Sequence, residues 1–317
     1  MSGPLQAKWK LTALVVVLFL VLLGAVQIQQ PRQRLFMPVQ SQQPEYSFLH
    51  ILDVGHGQAI LLQSEGKNIL IDGGASWAGH RLLQSLKQHE VRTIDALFIS
   101  RASGDYVGAL RHILPFVGIA AVYDGSTAAG DSTYELLTAE MKMLGASYHR
   151  IAAGDRLQLT SQTTALVLAP ILSLADEQFP VDDGLGMILE IGRFRILLAG
   201  SLSKHTEESL VRVYGSANDA HPSVLQADVL IIPRFGAGNA AGTGLLHAVR
   251  PKVAIIQVGP YNEQGLPELG LLERLKTASI SVYRTDRSGS IHIWTDGASW
   301  GIQTEGGGGR DEASADQ

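Results

Sequence analysis

The chain has no cysteine among its 317 residues. Disulfides, thiolate zinc sites and a cysteine nucleophile are therefore excluded. Charge is scarce: only 17% of residues are Asp, Glu, Lys or Arg, and the net charge is -5. Bulk electrostatic attraction to nucleic acid is thereby excluded, which leaves only a local basic patch for such a role. Ten histidines are present (50, 56, 80, 89, 112, 149, 205, 221, 247 and 292), yet no two are spaced His-x-His. No Gly-x4-Gly-Lys-Ser/Thr loop occurs, so phosphate-loop chemistry has no motif to rest on. The hydrophobic fraction of 45% marks a folded chain, long enough for one large domain or two small ones.

The longest uncharged run is at the amino end. Leu11 to Val26 carries no charge, and Trp9 and Ile28 extend it to about the 20 residues a bilayer requires. It is apolar on every face, which argues against an amphipathic core helix. It reads as an uncleaved anchor. A cleavable signal peptide is the rival, disfavoured because Gly24-Ala25-Val26-Gln27 is a poor small-x-small site. Lys8 and Lys10 before the run balance Arg32 and Arg34 after it, so charge gives no orientation. The very short leading tail favours an outward-facing globular part. The expected organisation is a tail (1–10), a transmembrane signal-anchor helix (11–28), a Gln- and Pro-rich linker (29–45), one globular domain (46–302) and a disordered Gly-rich tail (303–317).

Within the globular part, short apolar runs bounded by glycine predict strands at 48–54, 59–63 and 68–71. A helix at 81–89 follows, then a strand at 95–99 and a helix carrying Val107, Leu110, Ile113 and Leu114. Ser132 with Glu135 has the form of a capping box before a helix to 144. The second half alternates similarly: a hairpin around Gly192-Arg193, helices at 203–214, 242–249 and 270–278, and strands at 228–232, 252–258, 281–284 and 290–294. Two strand-rich openings, each followed by strand–helix alternation, predict two β-sheets packed face to face with helices outside.

Seven segments in order resemble the hydrolase-like domain of the ComEC competence proteins, a family with the metallo-β-lactamase fold. Phe48 to Gln63 (FLHILDVGHGQAILLQ) resembles the opening LDVGQGDA pattern, and Ile69 to Gly74 (ILIDGG) the strand-end aspartate and double glycine. DALFISRASGDYVGAL stands on ISHPHADHIGGL, FRILLAGSLSKHTEESL on the strand that ends in Gly-Asp, and ADVLIIPRFGAG on ADVLKVPHHGS. VRPKVAIIQVGPYNEQGLPELGLLERL and VYRTDRSGSIHI complete the set. The resemblance implies an α/β protein, a four-layer αββα sandwich in which histidines and a bridging carboxylate hold zinc and activate water against a phosphodiester.

Each matching ligand position departs from that pattern. Arg101, Ser103 and Tyr106 stand at three histidines, Ser201 at the bridging aspartate, Arg234 and Phe235 at a histidine pair, and Leu266 before Pro267 where GHP is usual. A guanidinium does not ligate a cation, and Phe and Leu carry no donor atom. The expectation is therefore a non-catalytic membrane protein with no metal and no small-molecule cofactor. Its former active-site cleft, with Arg101, Ser103, Tyr106, Ser201 and Arg234, would bind an anion, a nucleic-acid backbone or a membrane partner protein. His56, Asp72 and Asp105 are the alternative set, for a mononuclear phosphodiesterase or nuclease site. Each has a simpler reading. Asp105 favours a helix start, and Asp72 and Asp53 form turns beside glycine. His205 is a surface residue, and Asp182 and Asp183 shape a loop. The Gly-rich stretch Phe235 to Gly244 is a weak phosphate cradle. A third reading is a structural partner in a DNA-uptake assembly. The expected location is a bacterial inner membrane, single-pass, with the domain in the periplasm.

Overall fold

A computed structural model of the chain describes residues 45–126, 132–171, 184–216 and 223–306. The expected anchor at 11–28, most of the linker, Asp182 and Asp183 lie outside the described residues. Among the described residues no helix is long and apolar enough to cross a membrane.

The first sheet contains β1 (Ser47–Ile51), β2 (Ile60–Ser64), β3 (Lys67–Ile71), β5 (Ala96–Ile99), β7 (Ala121–Asp124), β8 (Ser147–Arg150), β16 (Ile291–Thr295) and β17 (Trp300–Thr304). Their order is β17-β16-β1-β2-β3-β5-β7-β8. Pairing is antiparallel from β17 to β3 and parallel from β3 to β8. The second sheet has the order β15-β14-β13-β12-β11-β10-β9. Its members are β9 (Arg156–Gln158), β10 (Thr163–Ala169), β11 (Gly186–Ile191), β12 (Phe194–Leu198), β13 (Val229–Ile231), β14 (Val253–Ile256) and β15 (Ser281–Arg284). It too has an antiparallel half, β9 to β12, and a parallel half, β12 to β15. Two short strands, β4 (Thr93–Ile94) and β6 (Gly118–Ile119), pair separately.

Strand alternation explains the layers. Leu49, Ile51, Ile60, Leu62, Ile69, Ile71 and Phe98 of the first sheet form one buried cluster with Val167, Met187, Leu189, Ile196, Val229 and Ile255 of the second. The sheets are thus packed face to face. Their alternate residues, such as Leu61, Leu70, Leu97, Leu197, Leu230 and Ala254, cluster with helical leucines. Five helices supply that cover: α1 (Gly79–Gln88), α2 (Ser132–Met143), α3 (Lys204–Tyr214), α4 (Thr243–Val249) and α5 (Leu269–Thr277). In α1 the buried positions are Leu82, Leu83 and Leu86, at helical spacing. Burying each such leucine contributes about 2 kcal/mol. The α/β sandwich read from the sequence is this arrangement.

Two expectations are corrected. The helix expected across Val107 to Leu114 is two single turns, Gly104–Val107 and Leu110–Ile113. The ladder breaks because the Ala109 N–H leaves the helix and donates to the Gly74 carbonyl, at 3.1 Å. The domain also extends past residue 302. Trp300–Thr304 pairs with β16 as far as Thr304 opposite Ile291, so residues 303 and 304, expected in the tail, belong to the domain.

Candidate functional site

Loops that follow parallel strands leave a sheet at its carboxyl edge, where binding clefts form. Here they are the loops after β3 (Asp72–Gly74), β5 (Ser100–Tyr106), β12 (Ala199–Ser203), β13 (Pro233–Gly238) and β14 (Gln257–Leu266). Backbone bonds tie them together. Gly73 and Gly74 N–H donate to the Tyr106 carbonyl at 2.6 and 3.0 Å, and Arg234 N–H donates to the Gly200 carbonyl at 2.8 Å. Gly259 lies against the His56 backbone so closely that a Cβ would overlap it.

The structure gathers the substituted positions and turns several of them inward. Tyr106 is buried, and its hydroxyl donates to the Gly200 carbonyl at 3.0 Å. Its ring meets Phe235 at 5.4 Å between centroids, and the His56 ring packs tilted against the same Phe235 at 4.5 Å. Ser201 is fully buried, and its hydroxyl faces the Leu185 and Ser100 carbonyls at 3.2 and 3.4 Å. Arg101 Nη1 donates to the Ser201 carbonyl at 3.2 Å. Ser103 precedes the Gly104 turn as its N-cap residue without a side-chain capping bond. Arg234 is exposed. Burial pushes the Tyr106 phenol above its usual pKa, and the Asp72 carboxylate adds to the rise. Arg101 and Arg234 oppose it, so both cations act on this one hydroxyl.

Arg234 and Phe235 have φ of 48° and 56°. Consecutive bulky residues in the left-handed region are strained, and such strain persists only where surrounding contacts impose it. Here the Gly200 carbonyl holds Arg234 N–H, and the His56 and Tyr106 rings hold Phe235.

The alternative set divides. Asp72 is fully buried at φ 58°, with both oxygens engaged. Oδ1 accepts from Ser100 N at 2.8 Å; Oδ2 accepts from Ser100 Oγ at 2.5 Å and Gln58 Nε2 at 2.6 Å. Burial raises its pKa to about 7 despite those bonds. His56 and Asp105 are together and half-buried. Neither imidazole nitrogen of His56 has a hydrogen-bond partner. Burial lowers the His56 pKa, and the Asp105 carboxylate opposes the shift. Asp53 forms the expected turn, accepting from Gly55 N–H at 2.9 Å.

This donor set does not fit the family's zinc. Zinc takes imidazole, thiolate or carboxylate ligands. At the ligand positions stand a phenol and a serine bonded to carbonyls, a phenyl ring and two guanidiniums, and the nearby Asp72 is already engaged. The sequence reading missed Gln58, which stands at the aspartate of LDVGQGDA and is 3% exposed. Its oxygen packs on Gly200, where a Cβ would overlap it. Gly200→Ala is expected to displace Gln58 from Asp72 and cost about 2 kcal/mol as overpacking, measured by urea unfolding. A cost below about 0.5 kcal/mol would show that the Gln58 pocket yields.

Beside His56 and Asp105 lies a cavity of about 460 Å³, lined also by Trp77, Arg81, Tyr261 and Asn262. Trp77 is 61% exposed and Tyr261 fully so. The aromatic rim was also missed. The Gly-rich stretch is no open cradle at its helix start, because the N–H groups of Ala241 and Gly242 are held by the Glu207 carboxylate, each at 3.1 Å.

Two sheets face to face, helices on both outer faces, and a cleft at the carboxyl edges of the parallel strands are the architecture of the metallo-β-lactamase fold. The sequence comparisons agree with the resemblance to competence proteins. The chain is 26% identical over 248 residues to recombination protein 2 of Haemophilus influenzae, covering 76% of this chain and 28% of that protein. It is 23% identical over 259 residues to ComE operon protein 3 of Bacillus subtilis (76% and 32%) and 24% identical over 250 residues to competence protein ComA of Neisseria gonorrhoeae (77% and 31%). The chain thus spans less than a third of the length of these relatives. No family profile matches it. Among solved structures it is similar to the metallo-β-lactamase fold protein YhfI from Bacillus subtilis, with a TM-score of 0.45 and 14% identity over 75% of this chain and 96% of that one.

Proposed function

We propose that the protein is a non-catalytic binding module of a DNA-uptake system, anchored to the bacterial inner membrane by its amino-terminal segment, whose cleft takes a single strand of nucleic acid. The observation that carries this reading is the exposed aromatic pair Trp77 and Tyr261 at the rim of a cavity that also holds Arg81 and His56. Bases stack on exposed rings without regard to sequence, at about 1–3 kcal/mol per base, while cations track the backbone. Arg101 and Arg234 supply positive charge at the neighbouring loops. The competence proteins among the relatives support the DNA-uptake setting.

The test is fluorescence anisotropy of a labelled single-stranded oligonucleotide with the full chain in detergent, at several salt concentrations. Trp77→Ala is expected to weaken binding about tenfold, as loss of one stacked base implies. Arg101→Ala and Arg234→Ala should each lower the salt slope by about one unit or less. Affinity unchanged in all three variants would reject the cleft as the binding surface and favour a structural role.

His56 gives a second reading its one support. Its unpartnered nitrogens beside Asp105 could serve a hydrolase with an atypical site. Phosphodiester turnover lost in Asp105→Asn would establish that enzyme in place of the binding module.

A further inference from the structure

Away from the cleft, three histidines distant in sequence meet on the outer face of the first sheet. His50 on β1 and His292 on β16 are directly opposed in the strand register. His89 caps the carboxyl end of α1, and its ring stacks on His50 at 3.8 Å between centroids. One ring nitrogen from each lies within 4.8 Å of the others. We propose that His50, His89 and His292 form a binding site for a divalent transition-metal ion of the zinc class.

His50 Nδ1 and His292 Nδ1 are hydrogen-bonded at 2.8 Å, a contact in which one proton bridges two ring nitrogens and which a cation can serve in its place. Gln63 Nε2 donates to the His89 carbonyl at 3.1 Å and to Asn68 Oδ1 at 2.9 Å, which fixes the backbone that carries the third ring. Glu305 Oε1 lies 3.8 Å from His292 Nε2 and favours the proton there, which leaves His292 Nδ1 as the acceptor or ligand atom.

An acceptor such as a carboxylate on one ring nitrogen, orienting the other nitrogen toward a metal, is the usual arrangement around ligating histidines. Neutral imidazole is the ligating form. His89 and His292 are half-buried, so an ion can enter from solvent. A tetrahedral ion about 2.0–2.1 Å from each nitrogen requires them about 3.4 Å apart. Side-chain rotation that opens the His50–His292 pair by about 0.6 Å and closes the others by at most about 1.4 Å meets that requirement. Water completes the shell.

The experiment uses the full-length chain in detergent, stripped with a chelator and then given zinc in competition with a chromophoric chelator. One equivalent is expected to bind, with at least a hundredfold weakening in His89→Ala and in His292→Gln and none in Asp105→Asn. Cobalt substitution should give the visible bands of a four-coordinate nitrogen-ligated ion in wild type and not in His89→Ala. His89 is partly exposed, and a thermal melt of its variant without metal is expected to match the stripped wild type. Absence of zinc uptake by wild type would overturn the proposal. So would uptake that survives both histidine changes, and zinc lost only in Asp105→Asn would move the ion to the cleft.

Discussion

Asp72→Ala is expected to lower stability by about 4 kcal/mol at pH 5, whereas Asp72→Asn stays within about 1 kcal/mol of wild type. The alanine leaves the Ser100 N–H and the Gln58 amide without their acceptor in a fully buried place, at about 1–3 kcal/mol each. It also puts a Cβ residue other than Asn or Asp at φ 58°. Asparagine tolerates that φ, and its oxygen keeps the Ser100 N–H bond. Its amide faces Gln58, whose own amide can turn to accept. The pH dependence separates the variants further. Burial raises the Asp72 pKa from 3.8 in the unfolded chain to about 7 in the folded one. The folded state therefore holds a proton that the unfolded chain releases across this window. Stability falls as pH rises from about 4 to about 7 and is level above that. At about 1.4 kcal/mol per pH unit, the contribution reaches about 4 kcal/mol. Both variants lose this slope, so the deficit of Asp72→Ala shrinks toward pH 8. Urea unfolding at pH 5 and pH 8 measures it. An alanine variant as stable as wild type at pH 5 would show that Asp72 does not hold the loops after β3 and β5 together.

The scaffold was legible because its signals are local. The strand expected at 48–54 ends three residues early, at Ile51, but Gly192-Arg193 between two apolar runs fixed its hairpin within a residue. Ser203 likewise fixed the start of α3, where its hydroxyl accepts from Thr206 N at 3.2 Å. The strands β8 and β9 were missed because Ser147–Arg150 and Arg156–Gln158 are short and mostly exposed, with no apolar period to read. Side-chain direction was the harder loss. Arg101, Tyr106 and Ser201 were expected to line an open anion site, yet the hydroxyls of Tyr106 and Ser201 face backbone carbonyls. The rings of Tyr106 and His56 instead both pack on Phe235. No spacing rule could pair His50 with His292, 242 positions apart, because only the antiparallel register of β1 and β16 brings them together.

Glu207→Ala is expected to cost about 3 kcal/mol through the loop between β13 and α4. Glu207 is 3% exposed on α3, and each of its oxygens accepts one backbone N–H, from Ala241 and Gly242. Opposite, Arg274 of α5 donates to the carbonyls of Gly238, Ala240 and Ala241 at 2.9, 2.7 and 3.2 Å. The two side chains thus hold the donors and the acceptors of one loop, which continues from strained Arg234 and Phe235. Removing the carboxylate leaves two backbone donors unpaired at the entry to α4, each costing about 1–3 kcal/mol. Burial raises the Glu207 pKa to about 7, against the loop N–H bonds and the Arg274 charge. Like Asp72, it makes stability fall as pH rises between its unfolded value of 4.5 and about 7, and Glu207→Ala should flatten that part of the curve. Hydrogen exchange locates the effect. The Ala241 and Gly242 amides should exchange faster by at least tenfold, while those of β13 change only with global stability. If the exchange of these two amides is unaltered, water has replaced the carboxylate, and the loop is held by Arg274 alone.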